Sequence, residues 1–283
     1  ACTATGTAAV RDDMLAVLRI PDARLHVAGF LRENLYLETA LCKSEKERKQ
    51  HLVKALKQSA LSADPIIIYA STRKRVDQFT DCCVELFGRD TVVSYHGGMD
   101  DEDRTHAQEE FMSGRARIAV ATNAFGMGVD RSDVRAVIHV DLPRSIEGYY
   151  QEVGRAGRDG QLSKCLLLFH ASDTRVHEFL IELNHANPSV TEGVWAQLKG
   201  GPSSIMDLKE SLGKGTESQQ IESAVRLLER MRAAEYLGHG QWQSAPGTPI
   251  EFNGLGIDFQ GIAQRRQDEL WKLDQVRRFV FHP

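Results

Sequence analysis

The sequence predicts an α/β fold, a parallel sheet with helices on both faces, followed by a small and mainly helical second unit. Three features lead to that expectation. From about residue 64 to 170, short β-branched runs alternate with amphipathic stretches, the pattern of right-handed βαβ units. The central runs are apolar without a break, as strands buried on both faces must be. Beyond about Leu183 the alternation stops and helical spacing takes over.

Strands are expected at 66–69, 91–95, 117–121, 136–140 and 165–169, with helices at 73–87, 101–113 and 145–156. Asn187-Pro188 and Gly200-Gly201-Pro202 are turn and linker signals. Apolar residues at Ile205, Leu208 and Leu212, then at Ile221, Val225, Leu228 and Met231, predict two amphipathic helices joined by Gly213-Lys214-Gly215. The Gly- and Pro-rich stretch 238–256 predicts a hairpin or loop, and 260–279 a last, highly charged helix. No internal repeat stands out.

A chain of 283 residues accommodates two domains of ~100–200 residues each. Its 42% hydrophobic and 26% charged residues are ordinary for a globular protein. No apolar run approaches the ~18–20 residues of a membrane-spanning helix, and no signal-peptide pattern opens the chain. An intracellular setting is expected, cytoplasm or nucleoid in a bacterium and nucleus in a eukaryote. The net charge of −4 gives no global positive field, so a nucleic-acid partner would be held by local donors and backbone amides. The five cysteines (Cys2, Cys42, Cys82, Cys83, Cys165) form no Cys-x-x-Cys pair, which fits neither a zinc site nor a disulfide framework. Each reads as a small buried hydrophobe.

The strongest chemical signal is Gln151-Glu152-Val153-Gly154-Arg155-Ala156-Gly157-Arg158-Asp159-Gly160. On a continuous helix, Gln151, Arg155 and Arg158 fall at i, i+4 and i+7, projecting an amide and two guanidinium forks from one face. Planar, permanently charged forks suit the oxygens of a transferring phosphoryl group. The structural alternative is a solvated basic helix end paired with Glu147 or Glu152. Two embedded glycines, each costing ~1 kcal/mol in a helix, argue against it.

A second tract, Thr122-Asn123-Ala124-Phe125-Gly126-Met127-Gly128-Val129-Asp130, follows the strand expected at 117–121. Gly126 and Gly128 let backbone amides approach phosphate or ribose, while Thr122 and Asp130 supply polar groups; a tight turn is the competing reading. Tyr95-His96-Gly97-Gly98-Met99 lies at another strand end. There His96 is either a strand-contacting residue or a satisfied structural histidine. The acids at 100–103 suit a helix start and are not read as a metal site. The stretch Ala70-Ser71-Thr72-Arg73 offers hydroxyls and a cation to a phosphate, or only a helix cap. No Gly-x-x-x-x-Gly-Lys-[Ser/Thr] P-loop occurs in the sequence.

With these residues in view, the chain resembles the RecQ family of superfamily-two helicases. Residues 67–76 are similar to the family's fourth motif, 95–104 to the tract after it, 121–130 to the fifth and 151–160 to the sixth. Thr3-Ala4-Thr5 resembles the end of the third motif, and Arg32-Glu33-Asn34 the Arg-Pro-Asn that opens the second motor domain, with Glu33 in place of Pro. The resemblance covers about residues 1–170. It implies ATP bound with Mg²⁺ between two RecA-like domains, mainly by an upstream domain. Arg158 would be the arginine finger with Arg155 beside it, and Gln151, Gly128 and Asp130 would meet the nucleotide. Ser71, Arg73, His96, Gly97, Thr122 and Asn123 would contact DNA, a single-stranded tail next to a duplex. It further implies 3′–5′ unwinding in repair or recombination. Asn123 departs from the family's usual valine.

On this reading residues 1–28 end the first RecA-like domain and 29–185 form the second. A linker at 186–202 leads to a winged-helix-like domain at 203–245, and 246–283 form a loop and helical extension. Gln219, Gln220, Arg226 and Arg230 face DNA if the second helix of that domain is a recognition helix; the alternative is a solvated face of a packing helix. The end of the chain is similar to the helix that introduces the family's zinc module, yet no cysteine follows, so no zinc is expected here. The chain opens within a motif and reads as a piece of a longer protein, inactive alone. The alternatives are a non-catalytic DNA-binding or regulatory half-helicase, and an RNA helicase of the same superfamily.

Overall fold

A computed structural model describes residues 8–27, 32–58, 64–126, 129–213 and 215–281. The chain divides into two compact units, Ala1–Asp173 with Leu273–Pro283, and Thr174–Lys272. Thr3, Ala4, Thr5, Gly128 and Lys214 lie outside the described residues.

The first unit contains α1 (Ala8–Leu18), β1 (Leu35–Leu41), α2 (Glu45–Leu56), β2 (Ile66–Tyr69), α3 (Arg73–Phe87), β3 (Val92–Tyr95), α4 (Asp101–Ser113), β4 (Ile118–Ala121), β5 (Ala136–His139), α5 (Ile146–Val153), β6 (Ser163–Phe169) and the start of α6 (Ala171–Asn184). Its six strands form one parallel sheet in the order β1-β6-β5-β2-β4-β3. The five expected strands lie within two residues of their expected bounds. Alternate residues of β2 and β4, Ile66, Ile68, Ile118 and Val120, pack against Leu52 and Leu56 of α2 and Val76 and Phe79 of α3. The intervening residues, among them Ile67, Tyr69 and Ala119, are buried on the other face. Thr72 caps α3 by accepting from the Arg75 amide at 3.3 Å, and Ser145 caps α5 through Gly148 at 3.0 Å. This is the RecA-like architecture the motifs implied.

The second unit carries α7 (Pro188–Gly200), β7 (Ser203–Ser204), α8 (Ile205–Leu212), α9 (Ser218–Arg230), β8 (Ala234–Gly238), β9 (Gln241–Ser244) and most of α10 (Phe259–Phe281), which ends in the first unit. A small antiparallel sheet in the order β7-β9-β8 joins these helices around Val194, Trp195, Leu198, Leu208, Ile221, Val225 and Leu228.

The linker expected at 186–202 is instead α7. Asn187 accepts from the Ser189 and Val190 amides, and Pro188 occupies the first helical turn. Asn-Pro starts a helix as readily as it makes a turn, and buried Val194, Trp195 and Leu198 make this one part of the core. The first boundary between units falls inside α6, after Asp173, rather than at 185. Among the described residues no helix is long and apolar enough to cross a membrane.

Leu228 is fully buried in the second unit. Leu228→Ala is expected to cost about 2–5 kcal/mol in denaturant melts that resolve that unit, through lost transfer energy and a residual cavity. A loss under about 0.5 kcal/mol, the range of surface substitutions, would show that this core is mis-assigned.

Candidate functional site

Because the six strands are parallel, the loops after β2, β3 and β4 leave from one edge of the sheet. That edge gathers Ser71, Arg73, His96, Gly97, Thr122 and Asn123. The Thr122 amide donates to Tyr95 O at 3.0 Å, and Arg73 Nη2 donates to Gly97 O at 3.3 Å. A Cβ on Gly98 would sit 2.7 Å from Arg73 Nη1, so the glycine makes room for that side chain. His96 Nε2 lies 3.4 Å from Asp77 Oδ1, and His96 Nδ1 accepts from the Gly98 amide at 3.2 Å, a braced histidine beside exposed Arg73, Gly97 and Asn123.

Beneath this edge lies a group of charges that the sequence reading missed. Asp141, just past β5, accepts from Ser71 N at 2.9 Å and Ser71 Oγ at 3.0 Å, from Arg75 Nη2 at 2.5 Å, and from Arg48. Arg48, fully buried on α2, also donates to Val140 O at 2.6 Å and to Asp173 Oδ1 at 2.7 Å. Burial alone would raise the Asp141 carboxyl, but the Arg75 and Arg48 guanidinium groups and the Ser71 amide hold it below the usual carboxylate range. Burial pushes the Asp173 carboxyl up, with Arg48 opposing. The Ser71 hydroxyl therefore faces Asp141, and the loop it belongs to is tied down from below.

The arginine tract differs from expectation. The sequence predicts one helix over 145–156, but α5 stops at Val153 and 154–160 form a turn. Gln151 is an exposed helical residue, whereas Arg155 and Arg158 stand on the turn and share no helix face with it. Gly157 explains the break: its φ of +57° is left-handed backbone, and a Cβ there would lie 2.5 Å from Asn34 Nδ2 and 2.6 Å from Ser163 Oγ. Its amide donates to Val134 O at 2.9 Å. Arg32 donates to Gly154 O at 2.9 Å and Gly157 O at 2.5 Å, and Asn34 donates to Gly157 O at 2.8 Å. The Arg-Glu-Asn element thus anchors the arginine turn.

Both arginines reach the 122–130 tract. Arg155 Nη1 donates to Gly126 O at 2.7 Å, and a Cβ on Gly126 would collide with the Arg155 fork. Arg158 pairs with Asp130. Glu152 is turned to His139, whose Nε2 lies 2.7 Å away. Since the turn bonds to residues 132–134, ahead of β5, it lies toward the opposite strand edge from Thr122. The tract runs between the two, with the Ser71–His96–Asn123 group at its start and the Asp130–Arg158 pair at its end. Among the described residues no three His, Cys, Asp or Glu side chains gather as metal ligands.

Two outcomes follow from this geometry. Gly157→Ala combines a left-handed backbone with three close contacts, so a melt should show a loss of about 1–3 kcal/mol; wild-type stability would refute the turn. Asp141→Asn leaves Arg48 and Arg75 facing an uncharged partner, a loss of about 3–5 kcal/mol near neutral pH. With its folded pKa lowered, Asp141 stabilises the fold above the ordinary carboxylate value of 3.8, and this is lost as pH falls through the folded pKa. The variant's stability should therefore fall less steeply below that value; parallel acid limbs would contradict the network.

Residues 47–160 match the family model described as the helicase conserved C-terminal domain. The "ATP-dependent DNA helicase RecQ" of Bacillus subtilis is 40% identical over 184 residues, 64% of this chain and 30% of that protein. The "ATP-dependent helicase wrn-1" of Caenorhabditis elegans is 36% identical over 203 residues, 70% of this chain and 19% of that one. A "Putative ATP-dependent RNA helicase R290" of Acanthamoeba polyphaga mimivirus is 36% identical over 189 residues, 67% and 33% of the two chains. The chain spans a third or less of the length of each. The parallel sheet thus carries a helicase conserved C-terminal domain, and over about two thirds of its length the chain is similar to RecQ-type helicases.

Proposed function

We propose that this chain is the C-terminal motor half of an ATP-dependent 3′–5′ DNA helicase acting in repair or recombination, completing an ATP site whose P-loop lies on an upstream RecA-like domain. The observation that carries this reading is the attachment of Arg155 and Arg158 to one glycine-bearing tract whose other end belongs to the Ser71–His96–Asn123 edge.

Two guanidinium forks, the Gln151 amide and the backbone near Gly126 suit the oxygens of a nucleoside triphosphate. Bound ATP supplies the phosphoryl group transferred to water; Mg²⁺ is assigned with it mainly to the upstream domain. Arg158 is the finger. Its pairing with Asp130 is open to solvent, with side chains 35% and 85% exposed, and such pairs contribute about 0–1 kcal/mol. Arg158 can therefore leave Asp130 for a more highly charged phosphate at little cost. Arg155, half-buried and bonded to Gly126 O, holds the tract in place beside it. Arg73, His96, Gly97, Thr122 and Asn123 meet the DNA strand, with Ser71 contributing its backbone position.

The second unit, a helix pair with a β8–β9 hairpin, is proposed as the winged-helix-like accessory domain. Of the α9 residues considered for DNA contact, Gln219, Arg226 and Arg230 are exposed and Gln220 is half-buried, on a face distinct from the buried Ile221, Val225 and Leu228. Gln219 donates to Asn184 at 3.3 Å, Gln220 accepts from the Glu217 amide at 3.0 Å, and Arg226 pairs with Glu222 at 3.0 Å.

In the complete protein, Arg158→Ala should lower ATP hydrolysis ~10³-fold or more and abolish unwinding, while DNA affinity stays within about two-fold. Wild-type hydrolysis by that variant would defeat the assignment. The mimivirus relative's name gives the RNA reading a footing. Matched duplexes decide it: faster unwinding of RNA than of DNA would transfer the function to RNA.

A further inference from the structure

One buried side chain joins the end of β2 to the 122–130 tract, one carbonyl away from the one that Arg155 holds. Tyr69 is the last residue of β2, directly before Ala70 and Ser71, and is 3% exposed. Its hydroxyl donates to Phe125 O at 2.9 Å, inside the 122–130 tract. The next carbonyl along, Gly126 O, is the one that accepts from Arg155 at 2.7 Å. The Tyr69 ring stacks on His139 at 5.3 Å between centroids and 26° between planes. His139 in turn lies 2.7 Å from Glu152, the α5 residue next to Gln151, and packs on Tyr149 at 5.0 Å.

We propose that Tyr69 is a positioning residue: its hydroxyl couples the nucleic-acid edge to the arginine fork, so that DNA bound at the Ser71 loop sets the pose of Arg155. The proposal rests on the helicase reading above. Its physical basis is that two successive carbonyls of one segment are held from two directions, Phe125 O by the β2 end and Gly126 O by Arg155. Phe125 is itself buried, so its carbonyl has little access to water if Tyr69 lets go. A displacement of the 70–72 loop therefore carries the Phe125–Gly126 backbone with it, and with that the guanidinium. Burial keeps the hydroxyl protonated well above the ordinary phenol range, with the nearby Arg155 opposing, so Tyr69 is a donor throughout the working pH range.

Tyr69→Phe removes the hydroxyl and keeps the ring, its stacking and its volume. In the complete protein, ATPase kcat and KM are measured without DNA and with saturating 3′-tailed DNA, together with DNA affinity and Tm. The expected result is a basal kcat and a DNA affinity like wild type, with the DNA-stimulated increment in kcat reduced about ten-fold, as loss of one buried hydrogen bond in the stimulated state implies. An unchanged stimulation ratio overturns the proposal. So does an equal fall in basal and stimulated kcat, which marks structural support without coupling. Arg158→Ala run alongside separates the two claims: hydrolysis surviving in that variant rejects the helicase reading itself, whereas hydrolysis lost there with stimulation intact in Tyr69→Phe rejects only the coupling.

Discussion

Arg48 has no exposed surface, and a buried guanidinium is tolerated only where carboxylates and carbonyls surround it. Asp141, Asp173 and the Val140 carbonyl meet that demand, and in doing so they bind α2 to the end of β5 and the start of α6. The same Asp141 then takes Arg75 from α3 and both donors of Ser71. Elements that the sheet alone would leave side by side are locked at the strand edge where the loops emerge. This charge arrangement holds Ser71 and Arg75 directly, on either side of Arg73, which itself donates to Gly97 O.

A second arrangement governs the arginines. Rather than standing on a rigid helix, they sit on a turn fixed through backbone carbonyls by Arg32 and Asn34 and by the left-handed Gly157. A turn held by its carbonyls leaves its side chains free to serve, and those side chains point back to the 122–130 tract. Nucleic-acid candidates and phosphate candidates thus occupy two ends of one segment, which is the arrangement a motor needs if strand contact is to bear on hydrolysis.

Much of this was legible from the residues. Ile66-Ile67-Ile68 and Ile118-Ala119-Val120 announce strands because both of their faces are buried, and burial leaves no polar residue to confuse the pattern. β1 was not visible, since an edge strand that mixes Glu38 and Thr39 with leucines has no such run. α2 reads as a surface charge cluster, and nothing local marks Arg48 as its buried member. Asn187-Pro188 signals a turn in the sequence because the tertiary burial of Trp195 is not a local property. The motif residues were found by their glycines and arginines, but Asp141 lies 70 positions from Ser71 and Tyr69 lies 56 from Phe125. Pairs that distant leave no spacing to read.

The measurement that bears most directly on the split-site account is ATP hydrolysis by this chain mixed with a separately produced upstream RecA-like domain, each also assayed alone, with and without 3′-tailed DNA. The account predicts that DNA-stimulated hydrolysis arises only when both are present, because the P-loop and the Arg155–Arg158 turn lie on different polypeptides. Hydrolysis by this chain alone would contradict it. So would a complex of the two that hydrolyses ATP no faster than the upstream domain by itself.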